Sequence, residues 1–244
     1  MTTFALVHPA WFGSWCWRDV VPLLRAAGHD VYAPTLTGLG ERAHLANPDI
    51  TLSTHVEDVV SAIMFDDLSG VTLVGNSSGG TVITAVADRV PERVERIVYL
   101  DAFVPSDGES TSDLIAPDRW AALKQLVDSE GEGWFLPRWA PAPWESILRE
   151  VWQVTDDAKF QWVLPRLRPT PIGHFTEPVQ LVNAGRAHPH RVYVRCPQGP
   201  GPFDKPAAVA QTSPDWTYRE MKAPHIPFIT HPKELADVLL QVSA

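Results

Sequence analysis

Five short apolar runs punctuate the chain: FALVH (4–8), DVYAPT (30–35), VTLVGN (71–76), RIVYLDA (96–102) and RVYVRC (191–196), each followed by turn residues. WTYREM (216–221) is a weaker sixth. These runs are rich in β-branched residues and mostly lack strict alternation, which predicts strands buried on both faces. Segments with helical spacing lie between most of them. WRDVVPLLRAAG (17–28) closes on Gly28, a C′ glycine, and TLSTHVEDVVSAIMF (51–65) offers Ser53 or Thr54 as an N-cap. GTVITAVADRV (80–90) stops before Pro91, and ELADVLLQV (234–242) is the last such segment. Strands alternating with helices predict an α/β fold around a mostly parallel sheet with right-handed crossovers.

One region breaks the alternation. Residues 105–190 contain no convincing strand; helical pieces such as DRWAALKQLVDS (118–129) and APWESILREVW (142–152) sit among prolines. Trp120, Trp134, Trp139, Trp144, Trp152 and Trp162 all fall here. An insertion of this size before the penultimate strand of a parallel sheet predicts a helical cap over the strands' carboxyl ends, where such sheets bind ligands. The expected organisation is therefore a core in two parts, 1–104 and 191–244, with the cap at 105–190.

Composition narrows the partners. At 244 residues, 45 % apolar and 20 % charged, the chain has ordinary globular composition and enough length for one α/β domain with an insertion. A net charge of −9 without a Lys/Arg cluster argues against nucleic acid and anionic membrane as partners. A hydrophobic small molecule is the expected partner, and a homodimer is compatible with the chain. The start MTTFALVHPAWF has no basic segment leading into a long apolar one, and no run reaches the ~18 apolar residues of a membrane span, so a cytoplasmic protein is expected. Cys16 and Cys196 lack disulfide-framework or metal-ligand spacing and read as small core residues.

The chemistry concentrates in VTLVGNSSGG (71–80). Gly75, Ser77 and Gly79 satisfy G-x-S-x-G after a strand and before a helix, the setting of a nucleophile elbow. That turn is so tight that the residues two before and two after the nucleophile must lack side chains. Ser77 is flanked that way; for Ser78 the neighbours would be Asn76 and Gly80, so the pattern fails.

A serine hydroxyl needs a base, and the base needs an orienting group. In proteins with this elbow the order is serine, acid, histidine, the histidine lying after the last strand. His225 in KAPHIPFITHPKELADVL (222–239) occupies such a loop, whereas His231 stands just before Pro232 at a helix start. His55 and His174 are further residues able to touch a ligand. The acid is expected just past RVYVRC, yet PQGPGPFDKP holds no carboxylate before Asp204. Asp101, ending VYLD, is the assigned acid, because adjacent strand ends lie only ~5 Å apart; Asp204 is the alternative, or else a helix N-cap. The loop after the first strand, HPAWF, would supply an oxyanion N–H from Ala10, since Pro9 has none, and Ser78 would supply the other. Trp11, Trp134 and Trp139 are the candidate pocket walls.

VHPAWFGSWCW, GNSSGG, VYLDAFVP and PHIPFITHPKELA together resemble the α/β-hydrolase fold, in particular its small-capped branch of bacterial esterases, salicylate-binding-type plant methylesterases and hydroxynitrile lyases. The resemblance implies a Ser-His-Asp hydrolase with no cofactor and no metal, and a Trp-lined pocket under a cap. The departures matter. Plant methylesterases carry a glycine at Pro9 and an aspartate at Gly199, while the lyases carry a threonine at Pro9 and a lysine at Ile226. Without that lysine a departing cyanide has no cationic partner. The expectation is a carboxylesterase acting on an ester, lactone or thioester of an aromatic small molecule. A C–C bond hydrolase, a cyclase or lyase of natural-product metabolism, or a catalytically weak binding protein are the alternatives.

Overall fold

The computed structural model describes residues 1–137, 143–183, 188, 190–199 and 201–243. In chain order the core strands are β1 (Thr3–Val7), β2 (Asp30–Tyr32), β3 (Val71–Ser77), β4 (Val94–Ala102), β7 (Arg191–Arg195) and β8 (Trp216–Glu220), with β5 (Phe135–Leu136) and β6 (Thr170–Pro171) between β4 and β7. The six form one sheet in the order β2-β1-β3-β4-β7-β8, every adjacent pair parallel. The helices are α1 (Val21–Ala26), α2 (Leu52–Phe65), α3 (Gly79–Arg89), α4 (Pro117–Glu130), α5 (Trp144–Ser146), α6 (Asp157–Val163), α7 (Gly173–Thr176), α8 (Asp204–Thr212), α9 (Pro227–Thr230) and α10 (Pro232–Ser243).

The two-residue period of a strand divides the core cleanly. Phe4, Leu6, Val98, Leu100, Val192 and Val194 pack with Trp17, Leu24, Phe228, Leu235 and Leu239 of the α1, α9 and α10 side. Ala5, Val7, Ile97, Tyr99 and Tyr193 pack with Val59, Val82, Val86 and Ala207 of α2, α3 and α8. Burial on both faces explains why the strands read as apolar runs rather than alternating ones.

The start of α2 differs from expectation. Its N-cap is Thr51, in a capping box with Thr54. Thr54 accepts from the Thr51 N–H at 3.3 Å, so that residue supports the cap without being it. Asp204 is likewise the first residue of α8, with Phe203 at the cap position. Within 105–190 the regular elements among the described residues are helical except for β5 and β6, an antiparallel pair joining Phe135 to Pro171 and Leu136 to Thr170. A third cluster, with Ala10, Phe103, Leu123, Leu136, Phe175 and Phe203, packs this region onto the loops after β1 and β4.

Candidate active site

Two strand ends and two loops converge. Ser77 ends β3, Asp101 lies at the end of β4, His225 follows β8 and Ala10 follows β1. At the elbow the backbone of Ser77 takes φ 55°. A Cβ on Gly75 would stand 2.6 Å from the Gly79 carbonyl oxygen, and one on Gly79 would stand 3.0 Å from that of Val7. The glycine spacing is thus a steric requirement of this turn.

The β3–β4 register explains Asp101. Asn76 pairs with Leu100, but Ser77 pairs with Ala102, so Asp101 is an extra residue opposite the elbow. Its φ is 45°. A bulge re-aims a side chain that regular pleating would send into the core. Trp11, at φ 67°, is a third left-handed residue, so three of the six non-glycine positive-φ residues among those described belong to this site. Such conformations cost of order 1–3 kcal/mol each and cluster where a structure holds functional groups in place.

The re-aimed carboxylate meets His225. Asp101 Oδ2 lies 2.7 Å from His225 Nδ1, and the residues are 1 % and 8 % exposed. Pairing at Nδ1 leaves Nε2 as the nitrogen able to take a proton. Asn76, beside the nucleophile position, donates from Nδ2 to the carbonyls of Leu100 at 2.8 Å and His225 at 3.2 Å. It ties the elbow to the histidine loop, a role that no motif or spacing in the sequence indicates. Phe203 stacks on the His225 ring at 4.7 Å between centroids and 11° between planes, and Trp152 lies at 5.9 Å.

Asp204 does not touch His225 among the recorded contacts. It accepts from Arg195 Nη2 at 2.7 Å and Nε at 3.0 Å, while Arg195 Nη1 donates to Asp101 Oδ1 at 2.6 Å and the Cys196 N–H to the same oxygen at 3.1 Å. Against the downward pull of burial, Asp101 and Asp204 raise the Arg195 pKa above its ordinary value.

Ala10 N–H donates to Ser78 Oγ at 3.0 Å, and Ser78 is the N-cap of α3, where backbone N–H groups have no intrahelical acceptor. Trp11 N–H donates to Thr170 Oγ1 at 2.8 Å and its indole to the Pro137 carbonyl at 3.2 Å, so residues between β4 and β7 hold this loop. Trp11 also meets Trp144 edge-on at 5.1 Å. Trp134 packs on Phe135 and reaches Glu132, and none of its recorded contacts is to Ser77, Asp101 or His225. Trp139 lies outside the described residues.

The remaining buried histidines form a separate group. Leu36 N–H donates to His8 Nε2 at 3.1 Å, so His8 Nδ1 carries the hydrogen given to the Pro9 carbonyl at 2.9 Å. Burial pushes the His8 pKa down to about 4. His55 Nε2 faces the Thr37 carbonyl at 2.9 Å and must donate, leaving its Nδ1 to accept from His174 Nδ1 at 2.8 Å. His174 Nε2 is then a buried acceptor without a partner among the described residues. Burial lowers the pKa of both. None of the recorded contacts of His55 and His174 is to Ser77, Asp101 or His225.

Among the described residues no group of three or more His, Cys, Asp or Glu side chains is arranged to hold a metal ion, and no helix is long and apolar enough to cross a membrane. A groove of about 1000 Å³, lined by Tyr99, Phe103, Arg191 and Trp216 among others, includes none of Ser77, Asp101 and His225. It is not the pocket these residues serve.

A parallel sheet carrying an elbow serine and a carboxylate-paired histidine at its carboxyl ends defines an α/β hydrolase. Residues 4–238 match the alpha/beta hydrolase family, and the chain belongs to it. It is 38 % identical to the carbendazim hydrolyzing esterase of Nocardioides sp. (strain SG-4G), over 98 % of each chain. It is 26 % identical to methylesterase 3 of Arabidopsis thaliana, over 98 % of this chain and 94 % of that one. An extracellular alpha/beta-hydrolase from a Paenibacillus species, described as sharing structural and functional homology with tobacco salicylic acid binding protein 2, superposes with a TM-score of 0.85 at 27 % identity, covering 99 % of both chains. The protein is a carboxylic ester hydrolase.

Proposed function

We propose that this enzyme cleaves an ester, lactone or thioester of a hydrophobic aromatic small molecule through an acyl-enzyme on Ser77. The observation that carries the reading is the buried 2.7 Å pair between Asp101 and His225, built beside a left-handed serine whose flanking glycines admit no side chain. His225 Nε2 takes the Ser77 proton as Oγ attacks the ester carbonyl, and returns it to the departing alcohol. Asp101 keeps the hydrogen on Nδ1 and stabilises the transient imidazolium. The N–H groups of Ala10 and Ser78 hold the oxyanion, which displaces Ser78 Oγ as the acceptor for Ala10. Water, activated by His225, then releases the acid.

The aromatic walls favour a flat substrate. Trp11, Trp152 and Phe203 surround the histidine and the Ala10 loop, and planar side chains bury planar ligands with little entropy loss. Carbendazim, named for the 38 %-identical relative, and aromatic methyl esters are the compounds to test first.

The experiment combines pre-steady-state kinetics on p-nitrophenyl esters with active-site labelling by a fluorophosphonate. A burst of one equivalent and a label on Ser77, both lost in Ser77→Ala, are expected. Full turnover by Ser77→Ala, or a label on Ser78, would overturn the serine assignment. Abolition of activity by Asp204→Asn with Asp101→Asn left active would overturn the acid assignment.

A further inference from the structure

Asp101 is held from the side opposite the histidine by a group that the hydrolytic cycle as written does not use. Its bulged backbone leaves it without the constraint of a regular ladder, and both of its oxygens are spoken for: Oδ2 by His225, Oδ1 by the Arg195 guanidinium and the Cys196 N–H. Arg195 is 6 % exposed, a rare setting for a guanidinium, and a buried cation needs paired acceptors. It has them on both sides, since Nε and Nη2 reach Asp204, whose side chain is 83 % exposed. Exposed carboxylate, buried cation, buried carboxylate and histidine form one continuous chain.

We infer that Arg195 is a positioning residue of the Asp101–His225 pair and that Asp204 is its charge-balancing partner, so that the two set the basicity of His225 in opposite directions. This rests on the serine-hydrolase reading above. A planar guanidinium fixes the carboxylate in one orientation, which a point charge cannot do. The same positive charge opposes protonation of the imidazole beyond Asp101, and Asp204 offsets part of that opposition. The other titratable groups around the guanidinium are Cys196 beside it, Tyr193 on β7, and Tyr218 and Glu220 on β8, the last paired in register with Arg195. Tyr193 and Tyr218 have pKa values raised above the ordinary tyrosine range, chiefly by burial, and Cys196 above the ordinary thiol range for the same reason. Glu220 is the one carboxylate among these four neighbours.

The test is the pH profile of kcat/KM for an activated ester, with thermal unfolding measured alongside. Arg195→Met is expected to lower kcat roughly ten- to a hundredfold through lost orientation and to move the acid limb up by about 0.5–1 pH unit. Arg195→Lys should return the limb most of the way while recovering little of kcat. Asp204→Asn, at an exposed position that tolerates change, should move the limb down by a few tenths of a unit at low ionic strength, an effect erased at about 1 M salt. If Arg195→Met does not fold, the Asp204→Asn profile decides. An acid limb that stays put in Asp204→Asn, or an Arg195→Met enzyme with parental kcat and profile and only a lower Tm, overturns the inference. Activity surviving in Ser77→Ala or Asp101→Asn would instead overturn the reading on which it rests.

Discussion

The enzyme buries two kinds of histidine. His225 is paired with a carboxylate, whereas among the described residues His8, His55 and His174 hydrogen-bond to carbonyls, an N–H and, for His55 and His174, each other. Burial alone disfavours an imidazolium, and a carboxylate accepting from the ring works against that effect. The first arrangement can carry a proton through a catalytic cycle. The second is locked neutral and serves to hold loops: His8 joins the Ala10 loop to Leu36, and the His55–His174 bond joins α2 to α7. Partner chemistry, not burial, separates a base from a strut.

The sharpest way to break the contrast is to make His225 resemble the others. Asp101→Asn keeps the shape but removes the charge, and kcat should fall about 10⁴-fold, or about 5 kcal/mol of transition-state stabilisation. Steady-state kinetics on a p-nitrophenyl ester checks this, and a loss below tenfold would mean that another acid serves.

Acid exposes the struts next. A base whose folded pKa lies below its unfolded value gives stability that is complete above the unfolded pKa and is lost as pH falls toward the folded one. For His8 the window runs from 6.5 down to about 4, worth about 3 kcal/mol, and His55 and His174 shift in the same direction. Denaturant titrations at pH 7, 5.5 and 4.5 should show a steep decline beginning below 6.5. A stability constant to pH 4.5 would show these histidines to be open to solvent.

The His55–His174 contact refines this. His174→Leu leaves His55 Nδ1 buried without its donor, at a cost of about 1–3 kcal/mol. His174→Asn restores an N–H to that atom but brings an amide oxygen of its own into the buried site, so its cost at pH 7 should be below that of His174→Leu, with a shallower decline in acid than the parent. Equal losses in the two variants would mean that the ring volume matters and the hydrogen bond does not.

How much of this could be read from the residues follows the same division. Strands buried on both faces announce themselves by composition, and the elbow glycines by sterics, so β3 and Ser77 were legible. Asp101 was legible only as a carboxylate at a strand end, because a bulge depends on a register between two strands. Arg195 was missed for a related reason: in RVYVRC a charged residue near a strand's end reads as solvated, although its place between Val194 and Cys196 in a buried strand was a signal. The walls were least legible. Trp152 and Phe203 reach His225 from the C-terminal cap of one helical segment and the N-terminal cap of another, where no spacing rule indicates which aromatic turns inward.

The smallest predicted effect lies in the loop after β1. His8 anchors the segment that carries Ala10, and the Ala10 N–H is given to Ser78 Oγ at 3.0 Å. If the oxyanion uses only backbone donors, the Ser78 hydroxyl is a placeholder that the substrate oxygen displaces. Ser78→Ala should then leave kcat within about threefold of the parent, under about 1 kcal/mol, since the N–H of residue 78 survives the change. If instead the hydroxyl turns to donate to the oxyanion, its removal should cost 10²- to 10³-fold, as for other side-chain oxyanion donors. Single-turnover acylation rates for Ser78→Ala distinguish the two, because a donor acting only in the transition state lowers the acylation rate without weakening substrate binding.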